Sequence, residues 1–189
     1  MFFYGLDRFS EDLDFDSKYE ISVKSLMSTF KGIGEITVKK DTKTVKRIYV
    51  KPSGENFNIK VEISLRPYTP IDEPISVFNK LKVYSINDLF SQKIKAFIGR
   101  DKARDLYDIG FIVWKYGERL KKNLKTKFFQ VFNSPEEIYD LIPQQVDLFK
   151  ADRLLTDSDL LEATRRIMSF YERELQKSPK KDNNFSIEP

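Results

Sequence analysis

The stretch "FNIKVEISLR" (57–66) decides the fold. Phe57, Ile59, Val61, Ile63 and Leu65 alternate with Asn58, Lys60, Glu62, Ser64 and Arg66. Successive side chains of a strand point to opposite faces, so this alternation predicts a strand with one apolar and one polar face. Upstream, "EITVKK" (35–40) and "KTVKRIYV" (43–50) are rich in β-branched residues and read as two more strands, with a turn at "KPSGEN" (51–56). Further upstream lies "DRFSEDLDFD" (7–16). In steps of two it separates Arg8, Ser10, Asp12, Asp14 and Asp16 from Asp7, Phe9, Glu11, Leu13 and Phe15. As an extended segment it puts Asp12 and Asp14 on one side, where they repel unless something positive sits between them.

Helix signals surround these strands. "SKYE" (17–20) is a capping box that predicts a helix after Ser17, with Ile21, Leu26, Met27 and Phe30 on its apolar face and Gly32 and Gly34 ending it. "PYTPIDEP" (67–74) is a proline-rich loop. "SIND" (85–88) is a second capping box, opening "LFSQKIKAFIGR" (89–100), and "DKARDLYDIGFIVWKYG" (101–117) reads as a further helix. "SPEE" (134–137) caps a short helix with proline at its first position, and a last helix is predicted over 158–176. The order of helix, strands and then helices predicts an α+β fold: a small mixed sheet followed by a helical C-terminal half. The expected organisation is a sheet domain over 1–84, a helical half over 85–177, and a polar, disordered tail over 178–189.

Composition narrows the chemistry. The 189 residues are 40% hydrophobic and 33% charged, enough for a core under a highly charged surface. No stretch approaches the ~20 apolar residues that span a bilayer, and the N-terminus turns acidic too soon for a secretory signal, so a soluble, cytoplasmic protein is expected. With no cysteine and no histidine, disulfides, thiolate or imidazole metal sites, histidine bases and catalytic triads are all excluded. Any metal must be held by oxygen, which favours magnesium, manganese or calcium. Net charge is +4, and basic residues gather in 38–47 and 119–127. Such runs can meet phosphates, although on these runs alone a solvated lysine surface is the preferred reading.

Two constellations stand out. Glu62 shares the polar side of its strand as Asp12 and Asp14 share theirs, and adjacent strands would bring three carboxylates together. Such a cluster is costly without a cation, and one or two divalent ions resolve it in phosphoryl or nucleotidyl transfer. Alone, the DxD pair is better read as an exposed acidic face. Lys93 falls in line with Ile86, Leu89, Phe90 and Phe97, and Asp105 with Ile109, Ile112 and Tyr116. Charges aligned with buried faces are paired, ligated or functional: either a Lys93–Asp105 bridge ties the two helices, or Lys93 faces a phosphate.

"RFSEDLDF" (8–15), "KVEIS" (60–64) and "DLFSQKIKAFIGRDKARDLYDI" (88–109) together resemble the AbiEii toxin family. These are nucleotidyltransferases of the minimal, DNA polymerase beta-like superfamily, many of them toxins of type IV toxin–antitoxin, or abortive-infection, pairs. The resemblance covers roughly 1–116 and more loosely the helical remainder. It implies that Asp12, Asp14 and Glu62 hold magnesium or manganese, that Lys93 contacts the nucleotide phosphates, and that Asp105, beside Arg104, orients Lys93 or helps deprotonate the acceptor. Arg8 and Ser10 match nucleotide-binding positions just before the DxD. A nucleoside triphosphate, an acceptor that is tRNA in some members, and a cognate antitoxin are the implied partners. The family pattern also carries a Gly-Gly-Thr or Gly-Ser turn and a helix upstream of the acidic strand, a phosphate cradle that this sequence lacks. The expectation is therefore an N-terminally truncated domain, either active or surviving as an inactive RNA- or protein-binding remnant. A PD-(D/E)xK nuclease fits poorly, because Lys60 precedes Glu62 and position 64 is serine.

Overall fold

The computed structural model describes residues 2–8, 10, 12–77, 81–100, 102–152 and 154–177. The tail expected over 178–189 lies outside the described residues. The chain divides into two compact units, Arg8–Thr69 and Met1–Asp7 with Pro70–Pro189.

In the first unit β1 (Asp12–Asp16), α1 (Val23–Thr29), β2 (Gly34–Asp41), β3 (Val45–Pro52) and β4 (Ile59–Ser64) follow in sequence. The strands form a sheet in the order β1-β4-β3-β2. β2, β3 and β4 are an antiparallel meander, while β1 joins β4 in parallel, making the sheet mixed as expected. Leu26 of α1 packs with Ile48, Val50, Val61 and Ile63, the apolar alternates of β3 and β4. Burying such a side chain fully is worth about 1.5–3 kcal/mol. The expected capping box at Ser17 is corrected: α1 starts at Val23, and Ser22 caps it by accepting from the Ser25 N–H at 3.1 Å. The Ser17 N–H still donates to the Ser64 carbonyl at 2.9 Å, holding the chain extended alongside β4. The Ser17 hydroxyl meanwhile donates to the Tyr19 carbonyl and accepts from its N–H, a local turn that competes with a helix start.

The second unit holds the short strands β5 (Ile75–Ser76) and β6 (Lys82–Val83) and the helices α2 (Ile86–Gly99), α3 (Ala103–Tyr116), α4 (Lys122–Val131), α5 (Pro135–Ala151) and α6 (Asp157–Lys177). Its core is built from side chains such as Phe90, Leu106, Ile109, Phe128, Ile138 and Ile167, all fully buried. α3 and α6 approach closely because residue 110 is glycine: a Cβ there would meet the Ala163 carbonyl oxygen at 2.9 Å. α5 runs for 17 residues rather than the short helix expected, continuing through Pro143. Pro143 lies on an exposed face, where a lost backbone hydrogen bond is left to water.

Residues 70–77 and 81–84, grouped above with the sheet, cluster instead with the helices. The Ile71 and Asp72 N–H groups donate to the Asp88 carboxylate at 2.7 and 3.3 Å, and Asn87 donates to Asp72 at 2.7 Å. Asp88 is wholly buried and also accepts from the Ser85 hydroxyl at 2.6 Å. A buried carboxylate has to recruit such donors, and the nearest ones belong to this loop. Among the described residues no helix is long and apolar enough to cross a membrane.

Candidate active site

The sheet unit places Asp12 and Asp14 two apart on β1, on the same face, in parallel register with Lys60 and Glu62 of β4. Arg47 of β3 is in turn opposite Glu62, so Asp14, Glu62 and Arg47 form one row across three strands. A strand side chain neighbours its register partners on the same face, which is why the three acids share this face.

Each acid has a protein cation. The Lys60 ammonium lies 3.2 Å from Asp12 Oδ2 and 3.2 Å from Asp14 Oδ1, between the two carboxylates. Arg47 pairs with Glu62. Burial works to lower the Lys60 pKa, but the charges of Asp14 and Asp12 outweigh it and raise the value, so Lys60 is held protonated. Ser10 sits just before the strand, its hydroxyl directed at the Asp12 carbonyl at 3.4 Å, and Arg8 is half-buried.

The donor set suits a hard cation, since it is all carboxylate oxygen, and the Lys60 ammonium stands between Asp12 and Asp14. Among the described residues no three acids are gathered closely enough to hold an ion as they stand. Glu62 is held by Arg47, and Asp12 and Asp14 by Lys60. The residues fit a divalent ion in kind, being carboxylates on one sheet face, and each is held by a protein cation.

The helical unit contains the second expected constellation, with one addition. Lys93 of α2 lies 3.3 Å from Asp105 Oδ1 and 2.7 Å from Asp108 Oδ2 on α3. Arg100 donates twice to Asp105, from Nε at 2.8 Å and Nη2 at 3.1 Å. Both aspartates are essentially unexposed, whereas the Lys93 side chain keeps 22% of its surface. The bridge named as the structural alternative is therefore present, and Lys93 still reaches solvent. Asp108 was missed by the sequence reading. Its signal was the i, i+3 spacing from Asp105, which puts both carboxylates on the side of α3 that faces Lys93. Arg104, beside Asp105 in sequence, is directed elsewhere and pairs with Asp152 at 2.8 Å. Arg100 also lines a cavity of about 350 Å³ together with Phe97, Lys102, Phe132, Asp140 and Gln145.

Chemically, the sheet face can gather cationic charge between acids, and the helical cluster presents a lysine locked in orientation by two buried carboxylates. The structure is similar to JHP933 from Helicobacter pylori, at 28% identity and a TM-score of 0.71, with 93% of this chain and 81% of that one covered. It is also similar to a second H. pylori protein, assigned provisionally as a nucleotidyltransferase, at 27% identity and a TM-score of 0.72, with 92% and 83% covered. No curated protein matches by sequence. The family model described as nucleotidyl transferase AbiEii toxin, type IV toxin–antitoxin system, matches residues 1–183. This chain belongs to the AbiEii nucleotidyltransferase toxin family.

Proposed function

We propose that the chain is an active nucleotidyltransferase that moves a nucleotide from a nucleoside triphosphate to a hydroxyl acceptor such as tRNA, as the toxin of a toxin–antitoxin or abortive-infection pair. The observation that carries the reading is the β1–β4 register, which sets Asp12, Asp14 and Glu62 on one sheet face. In the reaction an acceptor oxygen attacks the α-phosphorus, the bond to the β-phosphate oxygen breaks, pyrophosphate leaves, and the acceptor's proton passes to a base. Asp12, Asp14 and Glu62 would hold magnesium or manganese. When bound, the ion would neutralise developing charge on the phosphates and lower the acceptor's pKa. Lys93 faces the triphosphate as a fixed positive charge, and Asp105, with Asp108, orients it. Arg8 and Ser10 bind the nucleotide. A cytoplasmic location and a cognate antitoxin go with this role.

The test is transfer of labelled nucleotide to total tRNA in magnesium. The wild type is expected to label tRNA, and Asp14→Asn to lose at least about 100-fold in rate, the scale of removing one group that stabilises transition-state charge. A second reading, an inactive RNA- or protein-binding remnant, draws on the protein cations already paired with all three acids. It takes over if the wild type neither transfers nor binds any nucleoside triphosphate.

A further inference from the structure

Lys60 has a more specific place than that of a surface lysine. Two aspartates on one strand face would repel, yet their carboxylates converge on a single ammonium at equal distances of 3.2 Å. Lys60 sits directly opposite Asp12, and only 23% of its side chain is exposed, so its stem lies against the sheet and its head is committed to the pair. Arg47 serves Glu62 in the next position of the same face. Three negative charges thus meet two positive ones, and the group keeps a net charge of −1.

We propose that Lys60 is a resident counter-cation occupying the divalent-ion position between Asp12 and Asp14, and that metal binding displaces it toward the incoming triphosphate. The inference rests on the metal reading given under Proposed function. An ammonium and a divalent ion cannot both bridge the same two carboxylate oxygens, since like charges would then be in contact. The displaced ammonium needs an anion, and the nucleotide's polyphosphate is the anion that arrives with the metal. Lys60 is on a long flexible stem with three rotatable donors, which suits such an exchange. Before substrate it holds Asp12 and Asp14 in position, and afterwards it is a positioning residue for the phosphates.

Titration of manganese ions into the protein without nucleotide tests this, with free Mn²⁺ read by electron paramagnetic resonance. Wild type, Lys60→Met and Asp14→Asn are compared, with folding checked by circular dichroism. Lys60→Met is expected to bind Mn²⁺ about tenfold more tightly than wild type, the effect of removing a competitor held by two partly exposed ion pairs. In chelator its melting temperature should fall below that of wild type, and Mn²⁺ should raise it by more than it raises the wild type. Lys60→Gln makes the same prediction and serves if the methionine variant does not fold. Equal or weaker Mn²⁺ binding by the Lys60 variants, with the wild type binding and Asp14→Asn not, overturns the proposal while leaving the metal reading intact. Identical binding by wild type and Asp14→Asn overturns both.

Discussion

At the scale of single residues the helical cluster turns on Lys93. One ammonium serves Asp105 and Asp108, both buried, and Arg100 offsets the remaining charge on Asp105. Removing one partner of a buried pair leaves an uncompensated charge, which costs far more than the pair contributes. Lys93→Met should therefore lower stability by about 3 kcal/mol in urea denaturation, while Lys93→Arg should keep most of it. A loss of transfer activity is informative about phosphate binding only in the arginine variant, because the methionine variant also disturbs the fold. Lys93 and Asp105 were legible in the sequence because each breaks an apolar helical stripe. Asp108 was not, since the reading assigned one charge to each helix and the second acid became meaningful only once Lys93 was seen between them.

Among the elements, α1 shows how local signals compete. "SKYE" satisfies the pattern of a capping box, yet Ser17 closes a turn on Tyr19 and Ser22 caps the helix. The chain stays bonded to β4 through the Ser17 N–H just past the end of β1, and the Ser17 hydroxyl, taken up by the turn with Tyr19, caps no helix. Ser22→Ala should cost about 1 kcal/mol, the usual value of an N-cap, whereas Ser17→Ala should leave the seven-residue helix unchanged. Thermal melts of the two variants, with amide exchange over 23–29, distinguish the caps. β1 and β4 pair in one parallel register. A slip of one residue would carry Leu13 and Phe15 to the acidic face, so the alternation that reveals the strand also sets which residues meet.

For the molecule as a whole, the helical unit is closed by contacts between residues far apart in sequence. Tyr107 of α3 donates to Asp7 Oδ1 at 2.8 Å, and Arg166 of α6 donates to Asp7 Oδ2 at 3.0 Å. Burial, with the Asp7 carboxylate beside it, pushes the Tyr107 phenol up to about 12. Burial works to raise Asp7 as well, but its bonds from Tyr107 and Arg166 prevail and hold it below the usual carboxylate value. The sign for Tyr107 follows from its neutral form being the favoured one. Its contribution to stability is complete below the ordinary tyrosine value of 10.0 and is lost as pH rises from there toward about 12. The stability difference between wild type and Tyr107→Phe, from denaturant midpoints across that range, should shrink as pH rises. A phenol ionising near pH 12, followed by phenolate absorbance, should be missing from the variant.

The sequence by itself determined the α+β class, the strand alternations, the caps at Ser85 and Ser134, and the family. Each is written in local spacing or in a motif, and local periodicity survives without knowledge of the partners. It also excluded histidine and thiolate chemistry, since composition alone does that. The tertiary structure decided the matters that depend on neighbours. It showed which cation stands between Asp12 and Asp14, that Arg47 is directed at Glu62, that Asp108 shares Lys93, and that the Ile71 and Asp72 N–H groups donate to Asp88. A lysine's stem reaches several residues along a sheet, and a buried carboxylate takes whichever donors surround it. Neither choice is encoded by spacing along the chain, so both had to be read from the folded form.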